Sequence, residues 1–182
     1  MNKRKILALV TAMTMLIGVN VPAMAAEEVT PYVIGNSRTA ISTTENGSLM
    51  LNCNTSLNQV PDNTEVNIWT NTGNNSQRWR RVKSAYGVYV LEPYGSPGIS
   101  LNCQRGSESK CNVIRESRNA DTKQDMAINF TYIDKNKPSF RMWVSSRPGY
   151  NAAYVTRRGS ISGSACDWKY AAPGSTWFYR AG

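Results

Sequence analysis

Histidine is absent from all 182 residues. That excludes Ser-His-Asp and Cys-His nucleophilic designs and every His-ligated metal centre. The four cysteines, Cys53, Cys103, Cys111 and Cys166, show no C-x-x-C spacing, so no metal ligand is assigned. Acidic residues are sparse, 12 against 21 Lys+Arg. Those that fall in expected turns (Asp62, Glu65, Glu108, Asp121, Asp134) show no pair spaced for two-carboxylate chemistry. Walker loops and G-x-S-x-G elbows are also missing. We therefore expect no catalytic residue and no cofactor. Phe occurs three times, and Asn, Ser, Thr and Gly are plentiful. This balance suits many short strands joined by polar turns better than a helical bundle.

Long apolar runs are missing too, with one exception. Lys3, Arg4 and Lys5 precede an apolar stretch from Ile6 to Gly18, and Ala23-Met24-Ala25 follows as an A-x-A site. This order predicts a secretory signal peptide over residues 1–25, of a short Lys-rich bacterial kind, cleaved to leave an N-terminal extension over 26–37. The apolar stretch is too short to span a bilayer, so no stable membrane insertion is expected and the product is read as secreted. In an exported chain an even cysteine count is compatible with two disulfides. Cys103 and Cys111 are close enough to staple one hairpin, which leaves Cys53 with Cys166.

What the chain does contain is a repeat. Leu51-Asn52-Cys53 and Leu101-Asn102-Cys103 lie fifty residues apart, each after a β-rich run and a glycine turn. Ala40 to Thr44 leads to Asn46-Gly47, and Val88 to Glu92 leads to Gly95 and Pro97-Gly98. A third version runs from Phe140 to Val144 through Pro148-Gly149 to Ala153-Tyr154-Val155. Short alternating segments follow in each: Val66 to Trp69, Asn112 to Ile114, and Cys166 to Trp168. A polar loop then feeds a last strand through Gln77-Arg78-Trp79, Gln124-Asp125-Met126 or Ser175-Thr176-Trp177. Strand, turn, strand recurs three times in the same order. The expectation is all-β, with twelve strands in three imperfect four-strand repeats at about 38–82, 86–132 and 139–180.

Gln77-Arg78-Trp79, preceded by a strand carrying Trp69, resembles the Q-x-W repeat of ricin-B-type lectins. The resemblance spans Arg38 to Arg180 and implies a β-trefoil domain over 38–182. Copy two has Met126 for the Trp, and copy three has Ser175 for the Gln. One four-stranded unit cannot bury its apolar face alone, whereas three can close a barrel around a shared core. Trp79, Met126 and Trp177, with Leu51 and Leu101, are expected to fill it.

The same resemblance implies a carbohydrate ligand. A sugar's C–H face stacks on an aromatic ring while amides bond its hydroxyls. Copy one supplies Trp69 as the ring, Asn52 and Asn67 as amides, and Asn75, Ser76 and Gln77 at the loop end. In the family the Asn52 position is usually Asp, and Asn commonly stands where Ser76 does. Copy two has Ile114 at the ring position. Copy three keeps Trp168, with Tyr154 read at the Asn52 position and Cys166 at the Asn67 position.

Net charge is +9. Basic residues bunch at Arg78 to Lys83 and at Arg157-Arg158, and alternation around Trp79 predicts that Arg78 and Arg80 face water. This charge suits an acidic cell-surface polymer as a partner. Export argues against nucleic acid. The competing function is an exported trefoil that acts by protein contact, as a protease inhibitor or a toxin-associated binding component.

Overall fold

The structure, a computed structural model, describes residues 34–103, 109–117, 122–134, 136–144, 152–170 and 174–181. The expected signal peptide and most of the N-terminal extension lie outside the described residues, as does the expected Pro148-Gly149 turn. Twelve strands are present among those described. Repeat one holds β1 (Thr39–Ser42), β2 (Leu49–Cys53), β3 (Thr64–Thr70) and β4 (Trp79–Lys83). Repeat two holds β5 (Tyr89–Pro93), β6 (Ile99–Asn102), β7 (Asn112–Arg115) and β8 (Ile128–Asp134). Repeat three holds β9 (Ser139–Val144), β10 (Ala153–Arg157), β11 (Cys166–Lys169) and β12 (Trp177–Ala181). The only helical pieces among the described residues are a 3-10 turn at Asn75–Gln77 and one short helix, α1 (Thr122–Asp125), before Met126.

The first and last strands of each repeat make a ring. β1 pairs with β12 and β4, β4 with β5, β8 with β9, and β9 with β12, all antiparallel. β5 packs against β8 to complete it. The middle strands form three hairpins, β2–β3, β6–β7 and β10–β11. These hairpins bridge one another: Thr64 pairs with Val113, Asn67 with Ala165 and Lys110 with Asp167. Ring closure leaves few unpaired strand edges to template association.

Hairpin register identifies equivalent positions in the repeats. Leu51 faces Ile68, Leu101 faces Val113 and Val155 faces Trp168. All six are buried, together with Trp79, Met126 and Trp177. Each such large side chain contributes roughly 1.5–3 kcal/mol by leaving water. The indoles also satisfy backbone carbonyls that would otherwise be orphaned in the core. Trp79 Nε1 donates to Leu51 O at 3.0 Å and Trp177 Nε1 to Val155 O at 2.9 Å. The expected core anchors are therefore in the core.

Two expectations are overturned here. Register makes Trp168 the counterpart of Ile68, not of Trp69, so it is a core residue and its Nε1 donates to Asn102 O at 2.6 Å. In the same way Thr156 and Asp167, not Tyr154 and Cys166, occupy the Asn52 and Asn67 positions in repeat three. Secondly, no disulfide is seen among the described residues, so neither Cys103–Cys111 nor Cys53–Cys166 is crosslinked. Cys53 faces Val66 within its own hairpin. Cys166 belongs to a different hairpin, where its carbonyl accepts the Cys111 amide at 2.8 Å. Burial pushes the Cys53, Cys111 and Cys166 thiols up and holds Cys103 up to about 12, so thiolates for exchange are scarce.

Candidate functional site

Repeat one opens an uncharged cleft. β2 ends at Asn52 and Cys53, and the chain then leaves the sheet through Asn54, Thr55 and Leu57, which form one wall. β3 presents Trp69 as another. The turn after β3 brings Thr72 and Asn74, and the 3-10 turn adds Ser76 and Gln77 at the floor. The cleft has a volume of about 570 Å³, and none of the described side chains lining it is charged. Asn52, Trp69, Ser76 and Gln77 are thus brought together as expected.

Trp69 is the ring available to a ligand. It stands one residue beyond the core residue Ile68, so strand alternation turns it outward, and it is 43% exposed. Its orientation is set by repeat three. The turn before β11 bonds along the free edge of β3: Gly163 N donates to Ile68 O at 2.8 Å and Ile68 N to Ser164 O at 2.9 Å. Thr70 N also donates to Ser162 Oγ at 3.2 Å. A Cβ on Gly163 would sit 3.5 Å from Trp69 Cζ3, and Gly163 has φ +90°, a conformation only glycine adopts cheaply. The space beside the indole thus has room for a Cβ, and it is the positive φ that calls for glycine at 163.

The amides divide into two roles. Asn52 Nδ2 donates to Asn67 Oδ1 at 2.8 Å, and both residues are buried. Asn52 reaches the cleft, while Asn67 stands behind it and fixes its amide. Gln77 is also buried and spent on structure. Its Nε2 donates to Thr70 O at 2.8 Å, and its Oε1 accepts from Thr72 N at 2.7 Å and from Thr72 Oγ1 at 3.1 Å. Gln77 thereby shapes the Thr70–Thr72 wall. Asn75 is outside the cleft, its Nδ2 turned toward Gly95, and the neighbouring Asn74 lines the cleft instead.

The other repeats keep only part of this set. Asn102 Nδ2 donates to Asn112 Oδ1 at 3.0 Å, repeating the amide pair, but Ile114 takes the ring position. In repeat three the pair becomes Thr156 and Asp167, Lys169 takes the ring position, and the Asp167 carboxylate is held by Arg158. Sequence reasoning missed the cleft wall, Asn54, Thr55, Leu57, Thr72 and Asn74, and the Ser162-Gly163 support. Position in a repeat could not reveal them, because they lie in loops that the repeats do not share.

No family model and no curated protein matches the chain. Solved structures do. The β-trefoil lectin of Vibrio vulnificus hemolysin/cytolysin, solved with N-acetyl-D-lactosamine, superposes with TM-score 0.55 at 10% identity, over 79% of this chain and 93% of that one. The fold is a β-trefoil. A ricin B-like lectin of Macrolepiota procera in complex with lactose gives TM-score 0.57 at 12% identity, covering 81% of this chain and 96% of the lectin. A mosquitocidal holotoxin gives TM-score 0.62 at 14% identity over 81% of this chain, and this chain spans only 17% of that protein's length. Within the β-trefoil, the described cleft belongs to the β2–β3 hairpin of repeat one.

Proposed function

We propose that this protein is an exported, non-catalytic carbohydrate-binding protein and that the repeat-one cleft holds the sugar. One observation carries the reading: an outward indole, 43% exposed, faces an uncharged cleft edged by amide and hydroxyl groups. A sugar face needs such a ring, and its hydroxyls need neutral donors and acceptors. The fold shared with the lactose-bound and lactosamine-bound lectins supports the ligand class. Export rests on the leader-like residues 1–25. Asn52 in place of a carboxylate makes for weak, neutral recognition. A glycan array followed by calorimetry of the best hits tests the proposal, with Trp69→Ala as the control. Millimolar to micromolar binding that this substitution abolishes is the expected result. An array blank for neutral and acidic glycans overturns it.

The likeness to a holotoxin favours one second reading, a binding component of a larger toxic assembly. Co-purification of a larger partner that binds independently of Trp69 would select it.

A further inference from the structure

Three arginines converge on the outer face of the barrel beside this cleft with no carboxylate among them. β1 lies between β4 and β12, with Thr39 opposite Trp79 and Ala40 opposite Arg180. Continuing the antiparallel register by one residue puts Arg78 on the other side of Ala40. Arg78, Ala40 and Arg180 thus form one row across three strands, on the face opposite Trp79 and Ile41. Arg38 is two residues from Ala40 and shares that face. Ala40 between them is buried, covered by its neighbours on either side.

The arginines are fixed rather than loose. Arg38 Nη2 donates to Gly73 O at 2.8 Å, Arg180 Nη1 to Gly47 O at 2.9 Å, and Arg78 Nη1 to Gln77 O at 3.2 Å. None of the three forms an ion pair among the described residues. Arg78, expected to face water, is instead 8% exposed, and its Nε is buried without a hydrogen-bond partner. Burial, and after it the charges of Arg38 and Arg180, pull Arg78 below the ordinary arginine value. Like charges held together and one donor left unused is an arrangement that an anion would relieve.

The cluster is also joined to the cleft by one short segment. Asn71 Oδ1 accepts from Arg78 Nη2 at 3.4 Å and Gly73 O from Arg38, while the alternate residues Thr72 and Asn74 line the cleft. Four residues span at most about 14 Å, so both sites fall within one short oligosaccharide's reach.

We propose that Arg38, Arg78 and Arg180 form an anion subsite for a sulfate, phosphate or carboxylate group on a glycan whose neutral residue stacks on Trp69. This rests on the glycan reading of the cleft. The test is calorimetry with one oligosaccharide in four forms: neutral, sulfated, phosphorylated and carboxylated. Variants are Arg38→Gln and Arg180→Gln, singly and together, because Arg78→Gln would empty a buried position and risks unfolding. At least one anionic form should bind about tenfold more tightly than the neutral one at low salt, and the preferred form names the group. The double variant should bring that ratio to about one while neutral affinity holds. Equal binding of all four forms by the parent protein, with Trp69→Ala still abolishing it, overturns the subsite and leaves the cleft reading intact. An anionic preference that survives the double variant also overturns it. If no oligosaccharide binds at all, the cleft reading fails first.

Discussion

Trp69 and Trp79 stand ten residues apart in one repeat, and truncating each should break a different property. Trp79 is fully buried, and its Nε1 satisfies Leu51 O at 3.0 Å. Trp79→Ala removes a large core side chain, at a cost of about 3–5 kcal/mol. It also strands a buried carbonyl, worth about 1–3 kcal/mol more. The two terms are not additive, so we expect a loss of about 4–6 kcal/mol, close to the whole stability of a small domain. Trp69→Ala removes a ring that is 43% exposed. Its stability loss should stay near 1 kcal/mol, whereas a stacking partner's loss of binding should be about 1–3 kcal/mol, or roughly 5- to 150-fold in Kd. Urea unfolding followed by far-UV circular dichroism gives the first quantity and calorimetry with the array-selected glycan the second. Should Trp69→Ala unfold the protein as severely as Trp79→Ala, the ring is structural and the cleft is not a stacking site. A stable Trp69→Ala variant with unchanged affinity would be equally damaging.

Four further outcomes follow from the same geometry. Asn52→Asp should tighten glycan binding a few-fold with stability changed by less than about 1 kcal/mol, because Asn67 can rotate its amide to donate to the new carboxylate; weaker binding by calorimetry would show that no acceptor at position 52 meets the ligand. Gln77→Ala should cost about 2 kcal/mol in urea unfolding and weaken binding indirectly, since three hydrogen bonds that fix Thr70 and Thr72 disappear together. Thiol titration at pH 8 should find almost no reaction in the folded protein and four equivalents after unfolding without reductant; two equivalents or fewer would establish a crosslink. Glu116 is raised chiefly by burial, against the opposing Ser100 Oγ hydrogen bond of 2.5 Å, so the folded chain binds this proton more tightly than the unfolded one. Stability should therefore fall as pH rises from the ordinary Glu range through the raised value, and Glu116→Gln should remove that fall, with a larger gain at pH 7 than at pH 4; the reverse order would contradict the sign.

Strand content was legible because each hairpin carries its own turn chemistry and its own alternation, and both are local. Register was legible only where the two strands shared an anchor. Leu51-Asn52 and Leu101-Asn102 announce the pairs Asn52–Asn67 and Asn102–Asn112, and the structure has both. Repeat three has no such anchor, and aligning Trp168 with Trp69 by type shifts β11 by one residue. A better signal was present. Cys111-Asn112-Val113-Ile114 and Cys166-Asp167-Trp168-Lys169 share cysteine, polar and apolar residues in order, which puts Trp168 on the core position. Arg78 was misplaced for a different reason. Alternation gave the correct outer face, but not the cover that its neighbours supply there, and that depends on strands far apart in sequence. The cleft walls were beyond reach because they are built by loops whose contacts are tertiary.

The three hairpins then explain why binding should be confined to one cleft. A site of this kind needs a polar rung to set hydroxyl contacts and an outward ring two residues further along the strand. Repeat one has Asn52–Asn67 and Trp69. Repeat two retains the rung, but Ile114 offers no face to a sugar, and Asn112 Nδ2 is drawn instead to Asn63 Oδ1 at 2.8 Å. Repeat three has replaced every member: Thr156 Oγ1 donates to Tyr154 O at 3.2 Å, Asp167 is engaged by Arg158, and Lys169 takes the ring position. Repeat two thus lacks the ring, and repeat three lacks both the ring and the amide pair. A single weak neutral site gains strength either from clustering of ligands on a surface or from a second contact on the same glycan. The arginine cluster, joined to the cleft through residues 71–74, supplies that second contact. This makes the anionic substituent, more than the identity of the neutral sugar, the feature expected to select among glycans.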